Sequence, residues 1–88
     1  MSEPIDLTLA QPENFEGFCK ARVRTSTLLA LKVNYLEGFK IESESSRETL
    51  VGQPGDYLVI RPLDGMREIC NGKVFEATHE IKPLIDKD

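Results

Sequence analysis

The sequence predicts a mainly β protein of the α+β kind: a small twisted antiparallel sheet or partly open barrel with one or two short helices. Three stretches carry that expectation. "ARVRTSTLLALKVNYL" alternates apolar and polar residues over a long span, "GFKIE" repeats the alternation on a shorter scale, and "QPGDYLVIRPLDG" sets a β-prone run between two turn signals.

A chain of 88 residues holds one modest core, so a single folding unit is expected. With 40% hydrophobic and 30% charged residues it has too much apolar content for a disordered chain. The organisation expected is an acidic N-terminal arm with a short helix over residues 1–19, a β-rich domain over 20–82, and a tail over 83–88. No apolar run is long enough to span a bilayer, and the first residues lack the basic start of a secretory signal, which points to the cytoplasm. Cys19 and Cys70 have neither CxxC spacing nor a second cluster, so they read as reduced core thiols; no cofactor or metal is expected.

The first element is the weakest. In "QPENFEGFCK", Pro12 stands where the first turn of a helix accepts it, with Glu13 and Glu16 near the positive end of the dipole. A turn or two of helix is expected, with Phe15 and Phe18 packing into the core.

Glu3, Asp6, Glu13 and Glu16 all precede the first basic residue, and the rest of the chain is neutral. "KARVR" follows, placing Lys20, Arg22 and Arg24 at the even spacing that shares one face of a strand. This ridge reads either as a solvated, salt-bridged surface or as a docking site for an anionic partner. Nucleic acid is the less favoured partner: Lys32 could extend the strip, but single-strand binders interleave aromatic platforms with their bases, and none is interleaved here.

From Ala21 to Val33 the odd positions are Ala, Val, Thr, Thr, Leu, Leu and Val, which predicts one long strand with its odd face inward, broken in pattern only by Leu28. Glu37-Gly38 is a turn, and Phe39 and Ile41 alternate with Lys40 and Glu42 in the next strand. "SESSRE" reads as a solvent loop. Glu42, Glu44 and Glu48 lack the Asp/Asn/Gly pattern of a calcium loop and are not read as ligands.

Pro54-Gly55 predicts a type II turn, because Pro presets a negative φ and Gly tolerates the positive φ that follows. Asp56 can clamp that turn by accepting from nearby amides. Tyr57 to Arg61 then form a strand with apolar residues on both faces, expected in the sheet interior. Asp64-Gly65 favours a two-residue hairpin loop, which would set Ile60 opposite Ile69, Val59 opposite Cys70 and Arg61 opposite Glu68. A four-residue loop from Pro62 to Gly65, with Arg67 facing Ile60, is the alternative. Asn71 can cap a helix from Lys73 to Thr78 that turns Val74 and Phe75 toward the sheet.

"QPGDYLVI" and, after a gap, "REICNGKVFEATHE" resemble the PGDYG-type small proteins of bacteriophages and bacteria, as does the earlier "KARVRTSTLLALKV". The resemblance covers about Lys20 to Glu80. The sequence departs from that pattern at Ile69-Cys70, Asn71-Gly72 and His79. The resemblance implies fold and a phage or bacterial context; it implies no reaction.

Cys70 and His79 invite comparison with a nucleophile and its base, but without an orienting group they read as a core thiol and a surface histidine. The leading expectation is a non-enzymatic binding module of phage or prophage type that contacts a host or phage protein or itself. The rival is a small-ligand or nucleotide pocket, possibly hydrolytic, around Asp56, Tyr57, Arg67 and His79.

Overall fold

The computed structural model describes residues 3–24, 26–42 and 48–84. Its strands are β1 (Ile5–Asp6), β2 (Phe18–Val23), β3 (Ser26–Lys32), β4 (Phe39–Glu42), β5 (Thr49–Gly52), β6 (Tyr57–Ile60), β7 (Arg67–Cys70) and β8 (Glu80–Pro83), with helix α1 (Gly72–Thr78) before β8. They form an open three-stranded sheet, order β1-β4-β5, and an open five-stranded sheet, order β7-β6-β3-β2-β8. Among the described residues only β1 and β4 pair in parallel, and every other ladder is antiparallel.

The long strand expected from Ala21 to Val33 is in fact two. The chain reverses after Val23, and β2 pairs with β3 from Phe18↔Leu31 to Val23↔Ser26. Arg24 takes a left-handed φ of 55° in this reversal, a conformation that costs a non-glycine residue about 1–2 kcal/mol. The reversal also splits the odd positions. Ala21 joins one buried cluster with Ala30, Tyr57, Val59 and Phe75, whereas Leu31 joins another with Leu7, Phe18, Phe39, Ile41, Leu58 and Ile60. Both faces of the larger sheet are therefore covered: one by α1, the other by the smaller sheet. Leu28, which broke the alternation, packs on the helix side.

The segment expected as an acidic arm contributes to the larger core through Leu7 and Ala10. Residues 11–17 form turns, among them Asn14 N–H to the Gln11 carbonyl, in place of a helix. Phe18 is buried and Phe15 packs against the same cluster. Most of the solvent loop expected at 43–48, including Glu44, lies outside the described residues.

The type II turn at Pro54-Gly55 is present. Gly55 has a φ of 93°, and the Asp56 N–H donates to the Gln53 carbonyl at 3.0 Å. All four residues of β6 are buried, as an interior strand between β3 and β7 requires.

The hairpin after β6 takes the four-residue loop. Arg61 donates to the Met66 carbonyl, Gly65 adopts φ 71°, and the ladder pairs Tyr57↔Cys70, Leu58↔Ile69, Val59↔Glu68 and Ile60↔Arg67. The two-residue register is thus wrong by two positions. The attraction that argued for it survives at 3.4 Å between Arg61 and Glu68, which do not pair across the ladder. Arg67 tolerates its place beside Ile60 because its guanidinium donates to the Ala10 carbonyl at the edge of the core.

Asn71 caps α1, its side chain accepting from the Lys73 and Val74 amides. Phe75 is buried under the helix, but Val74 is 62% exposed and faces solvent, contrary to the expectation that both turn inward. In a helix, neighbours in sequence stand about 100° apart, so a single buried side chain on a two-turn helix leaves the next one outside.

Candidate functional site

Of the seven residues singled out, four were expected to line one pocket. Asp56 is the turn clamp: Oδ2 accepts from the Gln53 amide at 3.0 Å and Oδ1 from the Gly72 amide at 3.4 Å, so one carboxylate ties the Pro-Gly turn to the start of α1. Tyr57, the next residue, sits on the helix side of the sheet. Its ring stacks on Phe75 with centroids 4.7 Å apart, and Phe75 in turn stacks on His79 at 4.1 Å. The His79 ring nitrogen Nδ1 lies 2.9 Å from Thr78 Oγ1 and 3.2 Å from the Phe75 carbonyl, which seats the imidazole over the end of the helix.

Arg67 is not part of this group. It pairs with Ile60, which belongs to the opposite core, so the sheet itself stands between Arg67 and the Tyr57–His79 stack. The structure therefore brings Asp56, Tyr57 and His79 to the helix side and leaves Arg67 on the far face.

The polar groups on the helix side are satisfied by one another. The Tyr57 hydroxyl donates to Glu76 Oε2 at 2.7 Å, and Lys32 Nζ reaches the same oxygen at 3.0 Å. Burial, reinforced by the Glu76 carboxylate, pushes the Tyr57 phenol far up and keeps it protonated. The Tyr57 hydrogen bond, with help from Lys32, holds Glu76 below the usual glutamate range. The Lys32–Glu76–Tyr57 trio is thus a clasp between α1 and the sheet.

Both thiols are free and half-buried against the helix-side cluster. Burial pushes each of them up, and Glu68 and Asp56 add to the effect at Cys70. A nucleophilic thiol needs the opposite environment.

The basic ridge is divided. Lys20 and Arg22 share the β2 face, where they pair with Lys82 and Glu80 of β8. Arg24 lies in the reversal beyond, its carbonyl accepting from Arg22 Nε at 3.3 Å. Lys32 pairs with Tyr57 on the other face and is held by Glu76. Among the described residues, no ion pair joins the acidic N-terminal segment to Lys20, Arg22 or Arg24.

A feature that sequence reasoning missed lies at the β6–β7 hairpin. Ser26, Thr27 and Leu28 on β3, with Arg61, Pro62 and Leu63, line an open and largely apolar groove of about 490 Å³. Leu63, at the tip of the hairpin loop, is 98% exposed, and Met66 nearby is half exposed. Arg61, on the same rim, is engaged by Asp64 at 3.9 Å and Glu68 at 3.4 Å. The available signal was a leucine inside "RPLDG": an apolar residue between turn formers has no core within reach.

No family model, curated protein or solved structure matches the chain. Among the described residues, no helix is long and apolar enough to cross a membrane.

Proposed function

We propose that this chain is a small non-enzymatic binding module that acts by contact with another protein, in the phage or prophage setting to which its PGDYG-like stretch points. The observation that carries the reading is Leu63, 98% exposed at the tip of a hairpin where it lines an apolar groove. Burying a leucine side chain yields about 1.5–3 kcal/mol, so a side chain presented this way is an anchor in waiting for a partner's apolar surface. The charges on the rim are already paired within the hairpin, which favours a neutral, apolar partner segment over an anion. The desolvated thiols and the self-satisfied Tyr57–Glu76–Lys32 clasp support the non-enzymatic side, since neither offers an activated nucleophile or a free acid–base pair.

The test is capture from a bacterial lysate with the tagged full chain and with Leu63→Asp. The wild type is expected to recover a stoichiometric partner and the variant to lose it. Because Leu63 is exposed, the variant's stability should remain within about 0.5 kcal/mol of wild type. Equal recovery by both proteins, or no stoichiometric partner at all, overturns the reading.

A further inference from the structure

The larger sheet ends, away from the groove, in an edge strand. β8 ends the strand order, and its four residues, Glu80 to Pro83, are all exposed. Which of its peptide groups face outward follows from the phase of the ladder. The Arg61 amide bonds to Met66, so alternate residues Val59 and Tyr57 direct their peptide groups to β7, while Leu58 and Ile60 direct theirs to β3. Carried through Leu29 and Leu31, then Leu28 and Ala30, the alternation leaves Lys20 and Arg22 of β2 to bond Lys82 and Glu80 of β8. Ile81 therefore turns its N–H and C=O away from β2, toward an edge that no described strand covers. Pro83 belongs to the same outward set, so its missing N–H costs the β2 ladder nothing.

We propose that two copies of this chain pair antiparallel through β8 about a two-fold axis at Ile81. In that register the two Ile81 residues exchange both peptide hydrogen bonds and their side chains, each 37% exposed, meet across the axis. Glu80 of each copy then stands directly opposite Lys82 of the other. Within one chain these two charges already lie side by side at 3.4 Å, so pairing produces an alternating quartet. A lysine on an edge strand ordinarily repels a second edge; here the symmetry sets an acid against it. His79 has already given its N–H to Phe75 and Pro83 has none, so the contact is confined to residues 80–82. An interface this short falls below the standard size and gives a weak, concentration-dependent dimer, with Kd between about 1 μM and about 1 mM.

Sedimentation equilibrium of the full chain from about 10 μM to about 1 mM tests this directly. Wild type is expected to self-associate. Glu80→Lys and Lys82→Glu each set two like-charge pairs face to face and weaken the dimer by about tenfold or more, and the combined exchange restores it. Thermal melts of each variant monitor the fold, since Arg22 and Lys20 pair with these positions. Ile81→Pro removes the outward-facing N–H together with the side chain at the axis, leaves the groups that bond β2 in place, and is expected to abolish association while β8 stays on the sheet. A strictly monomeric wild type, a double exchange no tighter than the single changes, or a dimer indifferent to Ile81→Pro overturns the proposal.

Discussion

The carbonyl oxygen of Gly55 occupies the space that a Cβ on Gly72 would need. The Pro-Gly turn and the first turn of α1 thus meet backbone to backbone, and Asp56 fastens the junction by accepting from the Gly72 amide. Two glycines in one contact are required for different reasons, which makes them separable by experiment.

Alanine in a helix is normally about 1 kcal/mol more favourable than glycine. Gly72→Ala is expected to do the reverse and destabilise by about 1–3 kcal/mol, because the new methyl collides with the Gly55 carbonyl. At Gly55 the space is open: among the described residues an added methyl would approach only Asn34 Oδ1, at 3.9 Å, but φ is 93°. Gly55→Ala therefore costs about 1–2 kcal/mol through backbone strain alone. Urea unfolding of the two variants decides it, and a stabilised Gly72→Ala would contradict the close approach.

Phe75 is the helix's one large anchor, sandwiched between Tyr57 and His79 and 2% exposed. Phe75→Ala should cost about 3–5 kcal/mol. Val74→Ala, one residue earlier on the solvent side, should change stability by no more than about 0.5 kcal/mol. Denaturation midpoints of the pair measure which face of α1 is buried.

The Glu76 carboxyl is held low first by the Tyr57 hydroxyl and then by Lys32. A depressed carboxyl stabilises the fold above its unfolded value, and that contribution disappears as pH falls through the folded one. Melting temperature should therefore decline below the usual glutamate range, from about pH 4.5 downward, with Glu76 contributing part of the loss. In Glu76→Gln the decline should be shallower; an identical acid limb would show that the clasp does not form in solution.

Much of this architecture was legible in the sequence where local chemistry had one solution. Pro54-Gly55 could only turn, Asn71 was placed to cap, and the Phe39–Ile41 alternation had one face to bury. The reversal after Val23 was not legible, because Arg24 carries no turn signature and the alternation of apolar odd positions runs straight through it. With both faces of the sheet covered, apolar residues on either parity find a core, and periodicity no longer marks where the chain folds back. The hairpin register failed for a related reason: matching partners across the ladder ignored that Arg67 could find the Ala10 carbonyl, a contact 57 residues away in sequence. That same long-range contact removed Arg67 from the predicted pocket. Asp56, Tyr57 and His79 were brought to one side by the turn and the helix, both of which the sequence announced.

β5 runs beside β7, yet the two strands share no ladder. Among the described residues no ladder joins the smaller sheet to the larger one, so this seam is held by side chains and not by strand pairing. Parting along that seam breaks no ladder and bares Phe39 and Ile41 from one side and Leu58 from the other, whereas parting at β3 must break its ladders to β2 and β6. Where the chain first loosens is decided by where its two sheets stop short of each other.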